Sequence, residues 1–348
     1  MAQLALFSDE LCRRHNAGAG HPERPERMDA VVNVFEELLQ RPEMRKGEGR
    51  DGTITELRRI HTAEHITRIE ESAARPVTVF DADTVANNHS FAAALRAAGC
   101  ACAAVDAVCS GAVERAFVGT RPPGHHAEAG RPMGFCLFNN VAVAAEHARK
   151  RHGLERVAIV DWDVHHGNGT MHSFYDDPGV LYVSLHQSPL FPGTGYLEEL
   201  GRDAGYGYTL NLPLSAGRSD TEYLFLFDQL VLPLLDRFQP ELILISAGFD
   251  AHERDPLGSM LLSAEAFGAM TRRLVAVAER HGTGAVVAVL EGGYSLHGLE
   301  LGIRATASGL LLGGEAPGGA HTIVDSAVEA LADRAAQALH DHWGALSR

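Results

Sequence analysis

The chain has 348 residues, 45% of them hydrophobic and 22% charged, so it can bury a sizeable core and is not a disordered chain. Its net charge of −15 argues against binding to nucleic acid or to an anionic membrane, both of which need clustered positive charge. The five cysteines include no CxxC pair, the N-terminus lacks a signal-peptide pattern, and no apolar run of about 20 residues is evident, so we expect a cytoplasmic protein.

Taken in chain order, short apolar runs alternate with helical patterns. Runs rich in Val, Ile and Leu predict buried strands at 116–118, 157–160, 181–184, 241–246 and 285–290. Helical periodicity lies around 25–40, 90–110, 139–152, 219–238, 263–280, 297–312 and 324–342. This alternation predicts one domain over residues 1–348, an α/β fold with an open, mostly parallel sheet and helices on both faces.

Polar motifs follow four of the predicted strands at the point where each strand ends. They span residues 121–126, 161–169, 247–250 and 291–294. Ligands of open α/β sheets bind at the carboxyl ends of the strands. We therefore expect the four motifs to form one active site.

The second motif suggests a metal centre. Asp163 and His165 are two residues apart in a segment expected to be extended, which projects both side chains to one side, and Asp250 is the best third ligand. Three protein ligands with a position left for water are typical of catalytic zinc. A two-metal site of the arginase type would need Asp-x-Asp, whereas Asp250 is followed by Ala251 and His252, so one metal is favoured.

Acid–base candidates flank these ligands. His125 and His126 follow a stiff Pro-Pro-Gly turn and suit the roles of general base and electrostatic partner. Asp161 and Asn168 could orient the two rings differently, because a carboxylate favours imidazolium and a neutral amide leaves its histidine freer to accept a proton. Tyr294 follows two glycines and is either an oxyanion donor on a flexible tip or an ordinary core tyrosine.

Together the motifs resemble the histone deacetylase and acetylpolyamine amidohydrolase superfamily, which has an arginase-like fold. The resemblance runs from about residue 7 to residue 311. Its carriers, in order, are HPERPER at 21–27, RPPGHH at 121–126, GFCLFNN at 134–140, DWDVHHGNGT at 161–170, SLH at 184–186, FPGTG at 191–195, SAGFD at 246–250 and EGGY at 291–294. The PERPER stretch, Asn168 and the segment 254–258 are similar to the class II branch and its bacterial relatives.

The resemblance implies a zinc-dependent deacetylase that hydrolyses an acetyl amide of a primary amine and releases acetate. It implies one zinc ion at the three ligands named above, His126 as general base and acid, His125 as electrostatic helper and Tyr294 as donor to the scissile carbonyl. It also implies K+ or Na+ at two sites, for which the matching positions are Asp161, Asp163, His165, Ser184 and Leu185, and Phe174, Asp177, Val180 and Tyr208.

For the substrate, the resemblance makes Phe135 and Phe191 the walls of a tunnel around an aliphatic stem, although both could be ordinary core. Gly134 would accept a hydrogen bond from the substrate amide, and Arg27 would line a channel for the acetate product. Leu257 stands where polyamine-selective relatives carry glutamate, which favours an acyl-lysine peptide or a small acylated amine.

Three questions stay open at this point. Asp83 is a candidate rim acid for recruiting a cationic substrate. An acetylpolyamine amidohydrolase and a non-catalytic acyl-amine-binding subunit are the alternative functions. The sequence shows no interface, so a homo-oligomer is also left open.

Overall fold

The computed structural model describes residues 4–282, 284–314 and 323–346. Within them the strands are β1 Leu4–Phe7, β2 Met44–Lys46, β3 Val77–Val79, β4 Val85–Asn87, β5 Arg115–Val118, β6 Val157–Asp161, β7 Val180–Gln187, β8 Thr209–Leu214, β9 Leu242–Ala247 and β10 Val286–Leu290. The α-helices are α1 Glu26–Leu38, α2 Ile54–Leu57, α3 Ala63–Glu71, α4 Ser90–Cys109, α5 Asn140–His152, α6 Asn168–Ser173, α7 Asp220–Leu226, α8 Leu232–Phe238, α9 Ala264–His281, α10 Leu296–Leu312 and α11 Ser326–Trp343. A π-helical segment, Phe227–Val231, joins α7 to α8.

Eight strands of the described chain form one sheet in the order β2-β1-β5-β10-β9-β6-β7-β8. Every neighbouring pair in it is parallel. The remaining strands, β3 and β4, form a separate antiparallel pair. The predicted α/β fold is confirmed, and this sheet is parallel throughout rather than mostly parallel. The single domain over residues 1–348 stays a prediction.

The sequence patterns predict five of the eight strands of this sheet and miss β1, β2 and β8. β1 has four residues and β2 has three, Met-Arg-Lys, of which the last two are exposed. In β8, Asn211 and Pro213 interrupt the apolar run. Short or interrupted runs lack the periodic signal on which such predictions depend.

The central strands place alternate side chains in two hydrophobic cores. On β9, Leu242 and Leu244 belong to the core beneath α4 and α5, whereas Ile243 and Ile245 belong to the core that includes α1, α9 and α10. Successive strand residues point to opposite faces of a sheet. Because both faces are covered, the strand is apolar at every position except Ser246, a nearly continuous apolar run.

α4 is the one helix among the described residues that is long and apolar enough to cross a membrane by length and composition. The expectation that no apolar segment approaches that length is therefore wrong for this helix. Most of it is buried inside the fold, where it packs against α5 and β5. A buried core helix meets the same two criteria.

The sheet order decides where the polar motifs meet. β5, β10, β9 and β6 are consecutive neighbours in the middle of the sheet, and each precedes one of the four motifs. Since parallel strands present their carboxyl ends at one edge, the four motifs meet at that edge.

Candidate active site

Three side chains with metal-ligand chemistry meet beyond the ends of β6 and β9. One ligand atom from each of Asp163, His165 and Asp250 lies within 4.8 Å of the other two. Nδ1 of His165 is 3.1 Å from Asp163 Oδ1 and 3.1 Å from Asp250 Oδ2. One imidazole nitrogen and two carboxylate oxygens are ligands that zinc accepts, and three ligands leave a coordination position open. The residues present therefore fit a catalytic zinc ion.

The charges of the two carboxylates, Asp163 and Asp250, also indicate that the site holds a cation. Both carboxylates are fully buried. Burial and the charge of Asp163 raise the pKa of Asp250 to about 7. Two buried carboxylates this close together repel one another unless a cation lies between them.

The loop after β6 is built by side-chain to backbone hydrogen bonds. Asp161 Oδ1 accepts from the Asp163 amide at 3.1 Å, and Asp163 Oδ1 accepts from the His165 amide at 2.9 Å. Each bond closes a turn of the kind that aspartate favours. The extended segment expected here is therefore wrong, since residues 163–165 bend, and the bend rather than strand alternation brings the two ligands together.

Two glycines allow the ligands to approach each other. A Cβ on Gly248 would lie 2.1 Å from Asp163 Oδ2, and a Cβ on Gly292 would lie 2.1 Å from Asp250 Oδ2. The Gly292 amide also donates to Asp163 Oδ2 at 2.7 Å. Only glycine fits at such contacts. Sequence reasoning assigned Gly248 no role and Gly292 only the freedom of the chain before Tyr294, although both lie in the motifs that follow β9 and β10.

The two histidines of the first motif have different partners. Nδ1 of His125 is 3.0 Å from Asp161 Oδ2, and Nδ1 of His126 is 2.9 Å from Asn168 Oδ1. Burial lowers the pKa of His125, but the charges of Asp163 and Asp161 outweigh it and raise that pKa to about 10. Burial and the neighbouring His125 hold the pKa of His126 well below its ordinary value. His125 thus contacts a carboxylate and His126 a neutral amide, and the two pKa shifts favour one charged and one neutral ring.

Glu291 is a buried carboxylate that sequence reasoning left without a role. Its Oε2 accepts from the amides of Gly124 and His125 at 2.6 and 3.0 Å. These bonds tie the end of β10 to the turn that carries the histidine pair. Its position directly after a buried strand was the available signal, but the partners lie more than 160 residues away in sequence.

Tyr294 is buried beside the site instead of lying on a flexible tip. Its amide donates to Asp255 Oδ2 at 2.6 Å, and the guanidinium carbon of Arg27 lies 4.9 Å from its ring centroid. Burial raises the pKa of Tyr294 well above its ordinary value, so the phenol keeps its proton at neutral pH. The flexible-tip expectation is wrong for the backbone, while the phenol remains able to donate.

Arg27 is also fully buried. Its Nε donates to the Gly293 carbonyl at 2.7 Å and its Nη2 to the Glu291 carbonyl at 2.6 Å. Arg27 therefore anchors the loop that carries Tyr294. Its role in a product channel stays a prediction.

The two candidate tunnel walls lie beside the catalytic groups. The Phe191 ring is 5.0 Å from the His126 ring between centroids, and the Phe135 ring is 5.6 Å from that of Tyr294. Phe191 is 38% exposed, so the alternative of an ordinary core residue is wrong for it. A Cβ on Gly134 would lie 2.3 Å from His126 Cδ2, which places the backbone of Gly134 against the base.

The other substrate candidates lie around these walls. Asp83 Oδ1 accepts from Thr84 Oγ1 at 3.2 Å, and Thr84 Oγ1 accepts from the Phe135 amide at 3.3 Å, so Asp83 is joined to one wall. Leu257 is half-buried, and its amide donates to Asp255 Oδ1 at 3.0 Å. Asp255 thus links the Leu257 segment to the tyrosine loop, a role that sequence reasoning missed.

The first set of potassium candidates lies on β6, the loop after it and β7, where Asp161 and Ser184 are paired in register. The second set, Phe174, Asp177, Val180 and Tyr208, lies around the turn between α6 and β7 and directly before β8. There the Asp177 amide donates to the Phe174 carbonyl at 3.0 Å and the Val180 amide to the Asp177 carbonyl at 3.4 Å. Both cation sites stay predictions.

A second group of potential ligands lies between α2, α4 and α5. It consists of two triads that share His147, namely Glu56, Cys102 and His147, and Asp106, His147 and His152. Arg50 donates to both carboxylate oxygens of Glu56, at 2.6 and 2.9 Å, and already supplies a positive charge there. We assign this group a structural role.

The fold and the site define a class of protein, and the comparisons agree with it. The family model "Histone deacetylase domain" matches residues 21–310. The chain therefore belongs to the histone deacetylase family, whose members include deacetylases and amidohydrolases, and it is a hydrolase of that family.

Individual relatives cover most of the chain. It is 41% identical over 310 residues to the probable deacetylase of Archaeoglobus fulgidus, across 87% of this chain and 86% of that protein. It is 41% identical over 314 residues to the histone deacetylase-like amidohydrolase of Pseudomonas aeruginosa, across 84% and 82% respectively. The crystal structure of the HDA15 HD domain matches with a TM-score of 0.91 at 36% identity, covering 99% of this chain and 96% of that chain. The arginase-like fold is confirmed.

Proposed function

We propose that this protein is a zinc-dependent deacetylase that hydrolyses an acetyl amide of a lysine-like side chain or another primary amine. The observation that supports it most is the meeting of Asp163, His165 and Asp250 beside a neutral His126 and a protonated Tyr294. These groups are the ligands, base and oxyanion donor that amide hydrolysis needs.

Asp163, His165 and Asp250 would hold the ion. When bound, zinc supplies a Lewis acid that lowers the pKa of a water and polarises the acyl carbonyl. His126 accepts the proton of the attacking water at Nε2 and later returns it to the leaving amine. Tyr294 donates a hydrogen bond to the acyl oxygen as that oxygen becomes negative, a contribution typically worth ~3 kcal/mol. His125, charged through Asp161, adds a fixed positive charge.

For the substrate, we propose a narrow tunnel between Phe135 and Phe191 that clasps an aliphatic stem, with the Gly134 carbonyl as acceptor for the amide N–H. Leu257 offers no charge to a second ammonium, which supports an acyl-lysine peptide or a small acylated amine over a polyamine. The Asp83 carboxylate at the Phe135 wall supports recruitment of a cation.

Partners and location belong to the same proposal. The net charge of −15 supports a protein without nucleic-acid or membrane partners. All five cysteines are free, which supports a reducing compartment such as the cytoplasm. The K+ or Na+ sites and a homo-oligomer are further expectations, which metal analysis and light scattering would test.

A fluorogenic acetyl-lysine peptide tests the proposal directly. We expect hydrolysis by the zinc-loaded protein, loss of activity with a chelator and recovery with zinc. Rates on acetylputrescine, acetylspermidine and longer acyl-lysine peptides then rank the substrates, and we expect acetyl-lysine to be hydrolysed faster than the acetylpolyamines. Binding of acetyl-lysine without turnover of any of these substrates would establish the non-catalytic alternative.

A further inference from the structure

The amide of Asn168 is held in one orientation by two acceptors. Its Oδ1 lies 2.9 Å from His126 Nδ1, while its Nδ2 donates to Glu128 Oε1 and to the His126 carbonyl, the latter at 3.3 Å. If the side-chain amide of Asn168 were rotated by 180°, its oxygen would face the Glu128 carboxylate and the His126 carbonyl. Three acceptor oxygens would then face one another without a donor. The acceptors on the nitrogen side therefore fix which end of the amide faces the histidine.

This orientation determines the tautomer of His126. An amide oxygen only accepts hydrogen bonds, so Nδ1 of His126 must carry the proton and Nε2 of the neutral ring keeps the lone pair. With the amide turned, its NH2 group would face Nδ1, and the proton would move to Nε2. A ring in that tautomer has no lone pair with which to accept a proton from water at Nε2.

We propose that Glu128 is a positioning residue that sets the tautomer of His126 through Asn168. The inference rests on the proposed function, in which Nε2 of His126 is the base. Glu128 acts through the amide, and its carboxylate supplies the charged acceptor that makes one amide orientation much more favourable than the other.

The surroundings hold Glu128 at this position. Its amide donates to the Arg131 carbonyl at 2.9 Å, and its carbonyl accepts from His61 Nδ1 at 3.0 Å, so the backbone is tied on both sides. Its Oε1 also accepts from His172 Nδ1 at 2.8 Å. The carboxylate is therefore aimed at Asn168 and is not a free surface charge.

The start of α6 is packed against the same segment. The Thr170 amide donates to the His125 carbonyl at 3.1 Å. A Cβ on Gly169 would lie 2.3 Å from the Ala127 carbonyl oxygen, so glycine is required there. This close approach brings Asn168 between His126 and Glu128.

A charge swap tests the proposal. The lysine of E128K needs an acceptor, so it turns the Asn168 oxygen away from His126, and we expect kcat to fall about 100-fold with KM and zinc content unchanged. N168D provides acceptors on both sides, so E128K/N168D should recover kcat to within about 10-fold of wild type. N168D alone sets a second carboxylate against Glu128 and should be less active than the double variant.

E198K, which breaks an exposed pair with Arg334, is the matched control and should resemble wild type.

A tautomer measurement separates this proposal from the proposed function. Two-bond proton–nitrogen NMR spectra of the protein labelled on histidine nitrogen, with the H126Q spectrum for assignment, should show Nδ1–H in wild type and Nε2–H in E128K. E128M removes the acceptor without introducing a positive charge, and we expect it to lower kcat about 10-fold. This variant replaces E128K in the test if E128K does not fold. The proposal is overturned if His126 keeps Nδ1–H in E128K or E128M, or if the double variant is no more active than E128K. A wild type without activity would instead count against the proposed function, since the NMR result does not depend on turnover.

Discussion

The imidazole rings of His125 and His126 lie 4.0 Å apart between centroids, yet their surroundings move their pKa values in opposite directions. Asp161 binds one ring and Asn168 the other, so two adjacent residues of one type acquire different protonation states. The charged ring stabilises negative charge, and the neutral ring can take a proton. This difference lets a single histidine pair provide both functions.

Replacing Tyr294 with phenylalanine tests the oxyanion donor. The substitution removes the phenolic O–H and leaves the ring that packs against Phe135. We expect kcat to fall about 100-fold, the usual loss for one such donor, with zinc content unchanged. Steady-state kinetics and metal analysis measure the two quantities. An unchanged rate would refute the assigned role.

Removing the metal should abolish activity and lower thermal stability together. A ligand that binds only the folded state stabilises that state, and here it also relieves repulsion between Asp163 and Asp250. We expect chelated protein to melt at a lower temperature and zinc to restore both melting temperature and activity. His165→Ala should show no restoration, whereas His281→Ala, at a half-buried pair with Asp236 outside the site, should bind zinc as wild type does. Full activity in metal-free protein would contradict the assignment.

Gly292→Ala should disturb the metal site through steric contact alone. The added Cβ would lie 2.1 Å from Asp250 Oδ2 and 2.6 Å from Asp163 Oδ2, so both ligands must move. We expect zinc affinity to fall at least about 10-fold, measured by competition with a chromogenic chelator. Gly130→Ala is the control, because its Cβ meets nothing within 4 Å. Equal zinc affinity in the two variants would show that the site tolerates the displacement.

Glu56 should contribute stability that depends on pH. Burial alone would raise the pKa of Glu56, but its hydrogen bonds with Arg50 and Thr53 outweigh burial and lower the pKa to about 2 from an ordinary 4.5. A lowered carboxylate pKa stabilises the fold above the unfolded-state value, and this contribution is lost as the pH falls from 4.5 towards 2.

We therefore expect Glu56→Gln to lower the free energy of unfolding by about 1–3 kcal/mol at pH 7, since it removes hydrogen bonds to a charged group. The difference from wild type should shrink as the pH falls below 4.5. Urea denaturation at a series of pH values measures this difference in the free energy of unfolding. A difference that stays constant down to pH 3 would exclude the ion pair as its source.

Local sequence was sufficient for the main features of the fold. Nearly continuous apolar runs predicted the strands at the centre of the sheet, because a strand covered on both faces is apolar at almost every position. The polar motifs that follow these runs indicated the three metal ligands and the histidine pair. The short edge strand β2 and the interrupted β8 carried no comparable pattern, because neighbouring strands and helices rather than their own periodicity stabilise them.

Side-chain orientation and long-range partners were decided by the tertiary structure alone. Glu128, Asp255 and Glu291 each hold a catalytic segment through bonds to residues 39 to 167 positions away in sequence. The bend at residues 163–165 and the buried backbone of Tyr294 also contradicted local expectation. Residue types state which hydrogen bonds are available, but packing fixes which donor meets which acceptor, because a buried polar group must find its partner among whatever the fold brings within reach.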